Sequence, residues 1–381
     1  METIVIGKPS INIYLPLEEF PQEGDIFYID NKVETVGGVS ATAACLLGKW
    51  GMSVHYTGVV GDDGFAEKLR DDFKTNRVEH KYLETNFETG TACNYIILNN
   101  KTGFNTKVLY NNTKANLEKY KYDFIPDWAV LDGSDPAGTL ALLNTNGTVK
   151  TVFYARRGNK DTLTMCKKCT WVVCTEQFCK DITKSEPDGS AEGYVDFYQR
   201  VVDAVGSSNY IIILDNRKIL YCEDGKVKIL PEMKMLSLDV SSFDSVFTGA
   251  FTFAIMNNVS LDDSIKLANV SAGLSLAKVG EVSAIPEIDD VLDNSGLREK
   301  LGLGSRKSQT NEVKWEGDIN YAPPEIRAQL EAQKAAQEAA AAGEAAPAQD
   351  AVTPVTSEAQ AAGDGFFGGG EQQQTDTTQS V

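Results

Sequence analysis

Strand-like apolar runs alternate with helix-length segments from the first residues to about position 304, and few architectures accommodate such an alternation. Thr3-Ile4-Val5-Ile6 stops at Gly7, and Gly37-Gly38 opens an apolar stretch of helix length over residues 39–50. Val54-His55-Tyr56-Thr57-Gly58-Val59-Val60 reads as a strand and residues 65–73 as a helix, with further strands expected at 128–131, 148–154, 171–174 and 210–214. Strand and helix in repeated succession build a central, largely parallel sheet covered on both faces, so the fold class is α/β. Two stretches do not suit such an interior. Phe27-Tyr28-Ile29-Asp30-Asn31-Lys32-Val33-Glu34 alternates like a half-exposed strand, and residues 93–98 and 106–110 flank the turn-like Asn99-Asn100-Lys101-Thr102-Gly103. They predict a second, small sheet from residues near 12–36 and 91–110.

Charge and cysteine usage narrow the class. Against 36 basic residues stand 54 acidic ones, a formal charge of −18, the wrong sign for a phosphate-backbone binder, so no nucleic-acid partner is expected. No run approaches the roughly eighteen apolar residues of a membrane helix, and Met1 leads into a strand without a basic start, so neither a membrane span nor a secretory signal is expected. Seven cysteines, an odd number, lie mostly in apolar runs such as Ala43-Ala44-Cys45-Leu46 and read as free thiols of a cytoplasmic protein. Cys166-Lys167-Lys168-Cys169 has the spacing of half a metal knuckle, but His55 and His80 are the only histidines, and no metal site is expected there. Arg156-Arg157-Gly158 reads as a solvated loop.

Four ordered stretches carry more information: Gly37-Gly38 followed by Ala41, Ala43, Leu46 and Gly51; Gly58-Val59-Val60-Gly61-Asp62-Asp63-Gly64-Phe65; Thr89-Gly90-Thr91-Ala92; and Asp239 followed by Phe247-Thr248-Gly249-Ala250-Phe251. Together they resemble the ribokinase-like (PfkB) carbohydrate kinase family, the last in the slot of the signature DTxGAGDxFxGAF. The resemblance implies a three-layer α/β/α sandwich over residues 1–304, a small β-sheet lid that covers substrate and often makes a homodimer contact, and transfer of the ATP γ-phosphoryl group to a hydroxyl of a sugar, nucleoside or related small molecule with Mg²⁺. It places substrate contacts at Asn12, Tyr14, Gly37, Gly38 and Thr42, phosphate and nucleotide contacts at Ser242, Phe243, Gly249 and Asn269, and the catalytic base at Ser245.

At four places the residues depart from the family pattern. Tyr14 stands where an Asp clamps sugar hydroxyls, and a phenol offers one oxygen instead of two. Thr42 replaces the Asn of GGxxxN, and in the NxxE slot Thr175 and Phe178 replace Asn and Glu, while Glu176 survives but in this register points elsewhere. Ser245 takes the place of the base, and a serine hydroxyl has no basicity near neutral pH. Ser242, Phe243 and Asp244 replace glycine-rich backbone, so crowding of the phosphate-facing turn is expected. These departures read as a catalytically degraded homologue that keeps a scaffold or ligand-binding role, with weak or absent ATP binding and no Mg²⁺ enhancement. The alternative is an active kinase with an altered site in which Asp244 is the base.

Residues 305–381 shift to Ala, Glu, Gln, Gly and Thr. A helix is expected near 325–342 and a flexible tail beyond it, where Phe366 and Phe367 form a candidate docking motif for a protein partner.

Overall fold

The computed structural model describes residues 1–110, 122–145, 147–206, 209–233, 235 and 237–301. Its first elements are β1 (Glu2–Ile6), β2 (Ser10–Leu17), β3 (Val33–Gly37), α1 (Val39–Lys49), β4 (Ser53–Gly61), α2 (Gly64–Thr75), β5 (Val78–Asn86), β6 (Ala92–Asn99) and β7 (Asn105–Tyr110). There follow β8 (Trp128–Leu131), α3 (Pro136–Thr145), β9 (Lys150–Ala155), α4 (Lys160–Cys166), β10 (Trp171–Thr175), α5 (Glu176–Thr183), α6 (Ala191–Val205) and β11 (Tyr210–Ile213). The last are β12 (Ile219–Glu223), β13 (Lys226–Leu230), α7 (Phe243–Met256), α8 (Leu261–Ser275) and α9 (Ile288–Ser295).

Nine strands form the main sheet in the order β13-β12-β11-β10-β9-β8-β1-β4-β5. From β11 to β5 neighbouring strands run parallel, and β12 and β13 add an antiparallel edge. Successive side chains of a strand point to opposite faces, and the sheet divides its apolar residues accordingly. Val5, Val152 and Tyr154 face a core made with α1, α2, α7, α8 and α9, whereas Ile4, Ile6, Phe153 and Ala155 face a second core made with α3 to α6. With both faces covered, the strands are apolar throughout, and each fully buried Val or Ile contributes about 1.5–3 kcal/mol of transfer free energy. The expected α/β/α sandwich is therefore present.

The second sheet has the order β3-β2-β6-β7. β2 pairs parallel with β6, from Ser10↔Ala92 to Leu17↔Asn99, and antiparallel with β3, while β7 closes a hairpin on β6. One junction between lid and body is the Asp63 carboxylate, which caps α2 at Ala66 N and accepts both the Thr91 N–H (2.8 Å) and the Thr91 hydroxyl (2.7 Å). These three hydrogen bonds explain why an acid stands at the start of α2, where the helix dipole also favours it.

Some expectations need correction. The half-exposed strand predicted from Phe27 begins only at Val33, because β2 and β3 pair no further than Tyr14↔Val33, and Ile26 and Tyr28 stand exposed. Neither β5 nor the β12–β13 hairpin was anticipated. β5 is an edge strand with a polar sequence, and the hairpin turns at Asp224-Gly225, both with positive φ, the conformation an Asp-Gly pair favours. The boundary near 304, the helix near 325–342, and Phe366 and Phe367 lie outside the described residues. Among the described residues no helix is long and apolar enough to cross a membrane.

Candidate functional site

Where the lid meets the carboxyl ends of the main-sheet strands, polar side chains from distant parts of the chain converge. Gly7 ends β1, and β2 carries Asn12 and Tyr14 up into the lid. Asn12 is 1% exposed; its Nδ2 donates to Glu281 Oε1 (2.9 Å), and its Oδ1 accepts from Asn94 Nδ2 (2.8 Å) on β6. Thr42, on α1 and fully buried, donates its hydroxyl to the other carboxylate oxygen, Glu281 Oε2 (3.1 Å). Lys107 Nζ on β7 lies 3.8 Å from Oε1. The double glycine fits this crowding: a Cβ at Gly37 would stand 2.1 Å from Asn12 Nδ2, and Gly38 has φ +96° with a Cβ position 2.8 Å from Lys8 O. Gly37 and Gly38 thus let the chain pass the site without filling it.

Tyr14 belongs to a second chain of bonds. Its hydroxyl donates to Ser241 Oγ (2.7 Å), since the Ser241 hydroxyl in turn donates to Asp239 Oδ2 (2.6 Å). Asp239 also accepts the N–H groups of Ser241 (2.9 Å) and Gly280 (3.1 Å) and the Asn105 amide (3.2 Å). Burial pushes the Tyr14 phenol well above its ordinary value, and the carboxylates of Glu281 and Asp239 add to the shift. Burial likewise raises the Glu281 carboxyl, against the opposing pull of Lys107 and the hydrogen bonds from Thr42 and Asn12.

At the start of α7 consecutive residues diverge by about 100°. Phe243 turns into the core and stacks against Phe247 at 6.4 Å between centroids, so it does not crowd the turn as its sequence position implied. Ser245 is buried, and its hydroxyl donates back to Ser242 O (2.9 Å), a bond within the first turn. Asp244 alone of the three points toward the end of β9: it is half-buried and accepts the Tyr154 hydroxyl at 2.6 Å. Burial raises its carboxyl, opposed by Tyr154, Lys107 and Arg156. Arg156 is exposed, lends its charge to Asp244 and makes no ion pair within 4 Å among the described residues. Gly249 is not at the phosphate end at all. A Cβ there would meet Ala43 Cα at 3.0 Å, so this glycine serves the close packing of α7 on α1.

The side predicted to meet nucleotide is mixed. Ser242 Oγ bonds Ser275 Oγ (2.8 Å) and ties α7 to α8, where Asn269 is buried with its Oδ1 unpaired among the described residues. An orphaned buried acceptor suits an adenine amino group. The metal end does not fit. Thr175 caps α5, Phe178 is fully buried in the second core, and Glu176 is spent on Lys180 (2.8 Å) and Asp215 N (2.9 Å). Among the described residues no group of three or more His, Cys, Asp or Glu side chains is placed to hold a metal ion. The spaced Cys166 and Cys169 are free thiols, with Cys166 in the core.

Sequence reasoning brought together Asn12, Tyr14 and Thr42, and missed Glu281, Ser241, Lys107 and Tyr154. A signal for Glu281 was available: an acid directly after Gly280, the only one between Asp263 and Glu287.

A mostly parallel sheet with a four-stranded lid over the carboxyl ends of its strands is the ribokinase-like architecture, and solved structures agree. The Cryptococcus neoformans ribokinase in complex with ADP matches with a TM-score of 0.63 at 20% identity, covering 77% of this chain and 98% of that one. The Arabidopsis thaliana ribokinase complexed with ribose and ATP gives 0.61 at 17% identity over 77% and 98%. In sequence, the ribokinase of Lactococcus lactis is 23% identical over 297 residues, 75% of this chain and 94% of the relative. The pfkB family carbohydrate kinase profile matches residues 2–288, and the chain belongs to that family.

Proposed function

We propose that this chain is a pfkB-family homologue that has lost sugar phosphorylation and retains the fold as a scaffold with a closed ligand chamber. One observation carries the reading: the side chains at the substrate positions are spent on one another. Asn12 and Thr42 donate to Glu281 while Tyr14 donates into the Ser241–Asp239 pair. A hydroxylated ligand would have to displace bonds that are already made and buried, with no net gain in their number. The base position adds to this, because the Ser245 hydroxyl is turned back onto Ser242 O. Loss of a general base alone costs about 10²–10⁴-fold in rate. The purified protein, incubated with ATP, Mg²⁺ and a panel of sugars, nucleosides and vitamins, is expected to form no phosphorylated product, and product from any member overturns the reading.

A second reading has its own support. Asp244 is a carboxylate with burial-raised affinity for protons, beside Lys107 and Arg156 at the start of α7, which is the chemistry of a general base. If product forms, Asp244→Asn abolishing it assigns the base. On assembly, Tyr95 and Val108 are cross-strand partners exposed on the lid. We infer a lid-to-lid homodimer, which Val108→Asp would dissociate in sedimentation. The seven free cysteines fit a cytoplasmic setting.

A further inference from the structure

We propose that Glu281 is an internal ligand that latches the lid: its carboxylate takes the hydrogen bonds that Asn12 and Thr42 have to offer and so holds the lid on the body. The inference deepens the closed-chamber reading and rests on it for the place of the chamber. It is carried by the origin of the three partners. Asn12 comes from β2 and Lys107 from β7, both lid strands, whereas Thr42 comes from α1 of the body. Glu281 itself belongs to the loop after α8, so a single carboxylate joins two of the four lid strands to two body elements. Each oxygen has its own donor, Oε1 from Asn12 at 2.9 Å and Oε2 from Thr42 at 3.1 Å, and the residue is 5% exposed. Two oxygens meeting an amide and a hydroxyl in a buried, cation-flanked position is what vicinal hydroxyls of a polyol would present to the same donors.

The backbone is shaped to deliver this group. Gly280 has φ +106°, and a Cβ there would lie 2.2 Å from Ser283 Oγ, so the turn that carries Glu281 inward requires glycine. Its N–H is fixed by Asp239 at 3.1 Å, which also holds Ser241 and, through it, Tyr14 of the lid. The Tyr14 and Asn105 bonds to the Ser241–Asp239 pair are a second fastening, so removal of Glu281 loosens the lid without freeing it entirely.

Hydrogen exchange on the full-length protein tests the latch. In Glu281→Ala, amides of β2 and β6 are expected to exchange at least about tenfold faster than in the wild type, since hydrogen bonds to a charged group are lost, while β8 and β9 keep their protection. D-ribose at tens of millimolar is expected to leave wild-type exchange unchanged and to slow it in the variant. If Glu281→Ala loses protection everywhere, Glu281→Gln decides, because it keeps the side chain but offers one acceptor where two are needed; selective loss in the lid is then the supporting result. Unchanged lid exchange in the folded variant, or ribose slowing the wild type as much as the variant, overturns the proposal. Turnover in the kinase panel would overturn the loss of chemistry and leaves this result to be read separately.

Discussion

The cluster around Glu281 and the groups on α7 and α8 differ in how their polar side chains are used. On the first, Asn12, Tyr14, Thr42, Asp239 and Glu281 satisfy one another and are buried. On the second, Asp244 is half-buried with one side-chain partner, Arg156 is exposed, and Asn269 keeps an unpaired oxygen. One set is therefore closed on itself and the other still has groups to satisfy. A saturated set loses stability when any member changes, whereas an incomplete set has little stability to lose.

The sharpest way to break this contrast is Gly37→Ala. The added Cβ would collide with the triply bonded Asn12 amide, so a loss of at least about 2 kcal/mol is expected in denaturant unfolding. An unchanged midpoint would mean that the closed set is slack. Next comes Tyr14→Phe, which removes one donor from the Ser241–Asp239 chain and should cost about 1 kcal/mol. At the head of α7, Asp244→Asn should stay within about 0.5 kcal/mol of wild type. Equal effects of these two would erase the distinction.

Acidity offers a third test. Because the Glu281 carboxyl is raised in the folded protein by burial, the native state holds its proton more tightly than the unfolded chain. Its contribution to stability is present below the ordinary glutamate value and is lost as pH rises through the raised folded value. Asp244 and Asp132, also raised by burial, act in the same direction. Melting temperature should therefore fall from mildly acidic toward neutral pH, and Glu281→Gln should flatten that slope. The smallest effect is expected at Asn269→Leu, which deletes an orphaned acceptor and should be neutral or stabilising by up to about 1 kcal/mol, while removing any affinity for adenosine in calorimetry.

The main sheet was legible because its strands are buried on both faces and read as continuous apolar runs, as at β8 and β10. β5 was not, since an edge strand with a polar sequence carries too weak a periodic signal against loop. The site was half legible. Motif spacing located Tyr14, Thr42 and Ser245, but spacing counts positions and cannot say which way a side chain turns. Only the rotation at the head of α7 separates Asp244 from its buried neighbours Phe243 and Ser245. Glu281 escaped notice because its partners come from elements remote in sequence, and no local pattern records that meeting.

The parallel pairing of β2 with β6 also has a consequence in time. Ser10 cannot find Ala92 until the chain between them, which supplies β3, α1, β4, α2 and β5, has been gathered into place. Closing so long a loop costs entropy that only later contacts return. β1 meets β8 across a still longer stretch, Thr3↔Trp128, so the middle of the main sheet and the lid above it close over overlapping spans of chain, and neither is complete without the other.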